Sequence, residues 1–232
     1  MASPSERERI DRSITNHRGP GIVTGMVELA DPADLAPFRE LFGAGPEFEG
    51  NFNLYFHWYN VIHELAHISR RSVGLLHLGT TAIQEEKYAN DFAVAYWRHQ
   101  GEHIRLQVVE GIVSKALGHT IKTCPSEDIL QHYKEPTAFY EAGQNPREYA
   151  YVQFSMVLNA LREATRGFVA ELSGQGFRLQ QATAEQEPEG SGSSEPMQLL
   201  VDRAVDVLRT LGIELGRVLV FPHYNPNQHR II

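Results

Sequence analysis

Residues His63-Glu64-Leu65-Ala66-His67 set two imidazoles and a carboxylate at fixed spacing, and Glu86 follows after eighteen intervening residues. On an α-helix, positions i and i+4 share a face, so His63 and His67 can aim two ring nitrogens at one point. Zinc favours tetrahedral nitrogen and oxygen ligands, and its catalytic sites keep three protein ligands with water in the fourth position. Glu64, beside that face, is placed to take a proton from a metal-bound water. The surrounding stretches Tyr59-Asn60-Val61-Ile62, Leu65-Ala66 and Ile68 carry no charge. A glutamate buried among them without a partner would be costly, and a bound cation supplies one. The expected cofactor is Zn²⁺, and the expected chemistry is metal-assisted hydrolysis.

The third ligand follows from helix signals. Arg70-Arg71 suit the negative end of the first helix dipole, and Gly74 and Gly79 break the pattern. Thr81-Ala82-Ile83-Gln84 reads as a capping box that opens a second helix. On it Glu86, Ala89, Asn90, Ala93 and Trp97 lie along one face. Glu86 can therefore face the metal, and Asn90, one turn on, can hydrogen-bond a ligand histidine or Glu86 and hold it in place. Glu85 points about 100 degrees away and is expected to be solvated. It is the fallback ligand if the helix starts elsewhere.

This pattern, His-Glu-x-x-His with a glutamate on the next helix, resembles the gluzincin metallopeptidases. The stretch Glu86-Lys87-Tyr88-Ala89-Asn90-Asp91-Phe92-Ala93 is also similar to the E-x-x-A-N-x-F-A signature of the ImmA/IrrE-type metallopeptidases. The likeness spans about residues 53 to 97. It implies a zincin-like fold with His63, His67 and Glu86 as zinc ligands and Glu64 as general base. It also implies an oxyanion-stabilising side chain several tens of positions after the glutamate ligand. His119, His132, Tyr140, Tyr149 and Tyr151 are the candidates. Tyr149 is taken as the catalytic one, because the start of a strong helix would fix its hydroxyl. The chain departs from the second family in lacking an N-terminal helix-turn-helix. Its glutamate helix also runs on through Ala95-Tyr96-Trp97-Arg98 without an apolar-Met-Pro ending.

These residues must be positioned by 232 residues of ordinary globular composition, 42% hydrophobic and 22% charged. A net charge of −8 argues against a nucleic-acid grip built on phosphate neutralisation. One cysteine, Cys124, excludes an internal disulfide and fits a reducing compartment. No run approaches a membrane span and the first residues carry no apolar core of a signal peptide, so a cytoplasmic location is expected. The expected partner is a peptide or protein substrate, with neither nucleic acid nor membrane.

The expected architecture is α+β, mainly helical, with a small β-sheet. Residues 1–20 are polar and expected to be flexible. A zincin-like domain spans 21–175, a linker 176–195, and a C-terminal helix and tail 196–232 pack on the domain. Gly21 to Leu29 is the best strand, an ordinary packing strand or an edge that pairs with extended substrate. Residues 33 to 42 read as a short helix and Gly43 to Asn51 as loop. Gly101 to Gly118 looks helical, and 119 to 145 reads as loops with one short helix. Asn145-Pro146-Arg147-Glu148 opens a helix with an apolar stripe to Leu172. Pro196 opens an amphipathic helix, and Val218 to Phe221 is a last strand ended by Pro222. His57 points toward the cleft or packs as a structural histidine. In the tail, His223 and His229 raise the prospect of a latch on the open metal position.

Two other function classes remain open. Glu64-x-x-His67 also fits one element of a di-metal carboxylate bundle, an iron oxidase or oxygenase, with Asp128, His132, Glu102, Glu110 or Glu148 supplying further ligands. That reading leaves His63 unexplained. The other is a catalytically silent zincin-like module that only binds.

Overall fold

Ser3 and Glu6 form a reciprocal capping box with Pro4 at the first helical position, and helix α1 (Pro4–Thr15) follows. The N-terminal stretch expected to be flexible thus holds a capped helix. It docks through buried Ile14 and an Arg7–Asp31 ion pair of 2.9 Å. The computed structural model describes residues 2–75, 81–121, 146–163, 167–174, 197–227 and 230–231. The fold is mainly helical with one small sheet, as expected.

Strand β1 (Gly21–Gly25) is buried at every residue, which accounts for the absence of charge and of alternation in its sequence. It is shorter than expected, because Met26 to Ala30 turns, with Ala30 N–H donating to the Met26 carbonyl at 3.1 Å. β1 is the middle strand of three. It runs parallel to β2 (Leu219–His223), pairing Gly21 with Leu219 through Gly25 with His223, and antiparallel to β3 (Arg230–Ile231). Both of its edges are taken, so it is a packing strand and does not offer an edge to substrate. At Gly25 a Cβ would overlap the backbone of Pro226, so only glycine fits beneath the C-terminal segment.

Helix α2 (Pro32–Phe42) ends at Gly43, whose φ of 100° lies in the region glycine favours. The expected loop is then interrupted by α3 (Glu47–Phe52), which has acidic residues in its first turn and buries Phe48 and Phe52 one turn apart. A π-helical segment (Asn53–Tyr59) follows, leading without a break into α4 (Asn60–Ser72), the helix of His63 and His67. The aromatic run on this rod fills the core: Phe52 meets Phe38 edge-on, Tyr55 meets Phe154, and Trp58 stacks on Trp97 with centroids 4.0 Å apart.

The capping box at Thr81 and Gln84 forms and opens α5 (Ala82–His99), which packs on α4. Next come α6 (His103–Ile121) and α7 (Pro146–Arg162), which pack on each other, with α7 also against α5. The apolar stripe expected to run to Leu172 is split between α7 and α8 (Phe168–Gly174). Arg98 caps the end of α7, its Nη2 donating to the Leu161 carbonyl at 2.7 Å. The linker expected at 176–195 lies outside the described residues. Helix α9 (Met197–Thr210) buries Leu200, Val201, Ala204, Val205 and Leu208 in the common core, against α4 and β2. With β2 and β3 flanking β1, the C-terminal segment is an integral layer of the fold.

Candidate metal centre

Two apolar helices bring the ligands together. On α4, Val61, Ile62, Leu65 and Ala66 are almost wholly buried and lock the helix against the core. With that face fixed, the i, i+4 pair His63 and His67 must point at the facing helix α5. There Ala89, Ala93 and Trp97 form the packing stripe, and Glu86, three residues before Ala89, lands opposite the histidines. His63 Nε2 lies 3.1 Å from Glu86 Oε2, His67 Nε2 lies 3.7 Å from Glu86 Oε1, and the two Nε2 atoms are 3.2 Å apart. A tetrahedral ion with bonds of about 2.0–2.1 Å sets its ligand atoms about 3.3 Å apart. His63, His67 and Glu86 therefore form a candidate metal-binding triad of suitable spacing.

The histidines are held from behind. Asn90 Nδ2 donates to the Glu86 carbonyl at 2.9 Å, which turns Asn90 Oδ1 toward His63 Nδ1 at 3.1 Å and the Tyr59 hydroxyl at 3.1 Å. An amide oxygen only accepts, so His63 Nδ1 carries a proton, and in the neutral ring Nε2 then presents a lone pair. His67 Nδ1 meets Glu85 Oε1 at 3.1 Å, with the same consequence when the ring is neutral. Asn90 thus does what its spacing predicted. Glu85 does not: it is buried, and Arg70 Nε lies 2.8 Å from its Oε2 as an ion pair whose N–H is not aimed along that line. Arg70 is itself buried, its guanidinium 4.4 Å over the Tyr88 ring. The expectation that Glu85 would be solvated fails because α5 turns it toward the last turn of α4. Nothing in its local sequence marks that neighbour, although Arg70, one turn beyond the second histidine, is a signal for it.

The electrostatics fit a cation. Two Nε2 lone pairs and a carboxylate converge, and something positive must lie between them. Burial opposes the charged form of His67, but Glu86, hydrogen bonds to Glu85 and Glu86, and Glu64 outweigh it and raise His67 to about 10. Burial likewise opposes the charge of Glu86, and the two histidines hold it well below the usual carboxylate range. The raised His67 and the lowered Glu86 both favour a positive charge between them. Glu64, Glu85 and Glu86 with Arg70 leave two formal negative charges around the site, which a divalent ion would neutralise.

Glu64 is half-buried, and Asn60 Nδ2 donates to its Oε1 at 3.2 Å. Opposite, α7 presents Tyr149 and Gln153, again one turn apart. Gln153 Nε2 donates to Glu86 Oε2 at 2.8 Å and to the Tyr149 hydroxyl at 3.1 Å. Crowding around the hydroxyl and the charges of Glu86 and Glu64 hold Tyr149 protonated, well above the usual tyrosine value, although 38% of the residue surface is exposed. Tyr55, on the π-helical segment, is raised by burial and the same two carboxylates. Gln153 and Tyr55 were missed as site residues by sequence reasoning, and Glu85 and Arg70 were read there in other roles. The i, i+4 spacing of Tyr149 and Gln153 was the available sign.

The remaining candidates fall elsewhere. Tyr151 packs with Val152, Met156, Ala82 and Ile83, and His119 is exposed on α6. His57 Nε2 meets the Gly25 carbonyl at 2.8 Å, tying the rod to the sheet. The latch is not seen at His223, which is buried against Asp11 of α1 at 3.3 Å; His229, like Tyr140, His132, Asp128 and Cys124, lies outside the described residues. Glu102 pairs with Arg105 and Glu110 with Arg162, so among the described residues they supply no second metal set. No described helix is long and apolar enough to cross a membrane. Comparison with protein-family models, curated proteins and solved structures finds no match to this chain.

Proposed function

We propose that the chain is a zinc-dependent metallopeptidase that hydrolyses peptide bonds in a peptide or protein substrate. One observation carries this reading: three ligand atoms converge, two of them on histidines pinned through their other nitrogen, beside a glutamate outside the triad. His63, His67 and Glu86 would hold the ion, which supplies the positive charge that acidifies a water and polarises a carbonyl. Glu64 then accepts a proton from the attacking water and returns it to the leaving amine. Asn60 steadies one oxygen of that carboxylate. Tyr149, kept protonated beside two carboxylates, donates a hydrogen bond to the oxygen on which charge develops.

The test combines elemental analysis with cleavage of a peptide library. About one zinc per chain is expected, lost in a His63→Ala/His67→Ala variant. Glu64→Gln should keep the zinc and lose about 10²–10⁴-fold in cleavage rate. Two irons per chain would overturn this in favour of oxygen-dependent chemistry. Zinc without cleavage of any peptide would leave a binding module.

A further inference from the structure

Gln153 is a buried polar residue on the otherwise apolar inner side of α7, and its side-chain nitrogen has two hydrogens and no lone pair. Both hydrogens are used inside the site. One goes to Glu86 Oε2 at 2.8 Å, the other to the Tyr149 oxygen at 3.1 Å. The first contact fixes a consequence for Glu86. Its Oε2 already lies 3.1 Å from His63 Nε2 while its Oε1 is 3.7 Å from His67 Nε2, so the carboxylate could swing between the histidines. A donor on Oε2 from a third helix sets which oxygen faces which ring. The second contact fixes the direction of Tyr149. A phenol that accepts from an amide has its own proton left to donate to a different acceptor.

We infer that Gln153 is a positioning residue that clamps the ligand carboxylate of Glu86 and, with the same nitrogen, sets Tyr149 as a hydrogen-bond donor. This rests on the metallopeptidase reading only for the Tyr149 half. The clamp on Glu86 concerns metal binding alone. Through Gln153, α7 is coupled to the ion held by α4 and α5. The hydrogen-bonded path from Tyr149 to the ligand carboxylate runs through this amide.

The test uses two variants of the full chain. Gln153→Met keeps the length and volume of the side chain but has no donor, and Tyr149→Phe keeps the ring and the clamp. Zinc affinity is read by competition with a chromogenic chelator. The ligand field is read from the visible spectrum after cobalt substitution, and folding is checked by thermal melting. Gln153→Met should lower zinc affinity about 10–100-fold and shift the cobalt bands. Tyr149→Phe should leave affinity within about twofold while lowering kcat more than it alters KM. In the double variant, Tyr149→Phe should lower kcat much less than it does alone, since its hydroxyl has already lost its orientation. A folded Gln153→Met protein with unchanged zinc affinity and cobalt spectrum would overturn the inference. So would equal losses of affinity in both single variants. Failure of the wild-type chain to cleave any peptide, with the affinity loss still present in Gln153→Met, would sink the peptidase reading and leave the clamp standing.

Discussion

A ligating histidine must be free of a proton at the nitrogen that binds metal, and in the metal-free site His67 is not. Burial opposes its charge, but Glu86, Glu85 and Glu64 raise it to about 10. Proton and metal therefore compete, and apparent zinc affinity should rise about tenfold per pH unit across neutral pH. Calorimetry in two buffers of different ionisation heat should count about one proton released per ion bound. The stability of the empty fold follows from the same groups. The raised His67 stabilises fully below its ordinary value of 6.5, and this is lost as pH climbs toward about 10. The lowered Glu86 stabilises above its ordinary 4.5, and this fades as pH falls. Chelator-treated protein should thus be most stable between about pH 4.5 and 6.5 and melt lower at about pH 9. A melting temperature that rose over that upper range would show that His67 is neutral in the empty site. His63 with His67, and Glu86 with Asn90, could be paired from sequence because spacing within each helix fixes which residues share a face. Glu85 could not, since its direction matters only once the last turn of α4 lies across from it and Arg70 meets it there.

The two metal helices differ in how openly their sequences declare them. The start of α5 is written locally: Thr81 accepts from the Gln84 N–H, and the Gln84 side chain accepts from the Thr81 N–H at 2.9 Å. That box sits one turn before Glu85 and Glu86 and sets the phase of the helix that carries them. Thr81→Ala should lower stability by about 1 kcal/mol, a fall of about 2–4 °C in melting temperature for a chain of this size. Zinc affinity should change little, because Ala89, Ala93 and Trp97 still hold the phase further along. A thermal melt beside a chelator titration would measure both, and a tenfold drop in affinity would mean that the cap itself sets the ligand direction. The start of the histidine helix gives no such sign. The rod that carries it begins with α3 at Glu47 and passes through the π-helical segment at Asn53–Tyr59 before α4. A π turn keeps the same backbone donors and acceptors and shifts them by one residue. Its contacts are long-range: Tyr55 packs on Phe154, Trp58 on Trp97, and the Tyr59 hydroxyl reaches Asn90. The split between α7 and α8 was hidden for a related reason, since Arg98 from α5 satisfies the carbonyls at the break.

The ends of the chain meet in the sheet, and this was the least readable part of the fold. A short apolar run at residue 21 and another near 219 each suggest a strand, but neither states its partner. Parallel pairing over nearly the whole chain length is decided by what the helices leave uncovered. β1 lies between β2 and β3, and His57 joins its last carbonyl to the rod that continues into the histidine helix. This raises the question of whether the sheet or the pair α4–α5 sets the ligand geometry. Gly25 separates the two. A methyl group there would overlap Pro226 and Asn225, its nearest neighbours, forcing the C-terminal segment away from β1 while leaving the α4–α5 contact itself unaltered. Overpacking of this kind destabilises by about 1–3 kcal/mol, so Gly25→Ala should lower the urea midpoint. Zinc affinity of the folded protein should stay within a few-fold of wild type, because His63, His67 and Glu86 are fixed by the apolar faces of α4 and α5. Affinity that fell in step with the urea midpoint would instead mean that strain at the sheet travels through His57 into α4. The site would then depend on the closure of the whole chain and not on two helices.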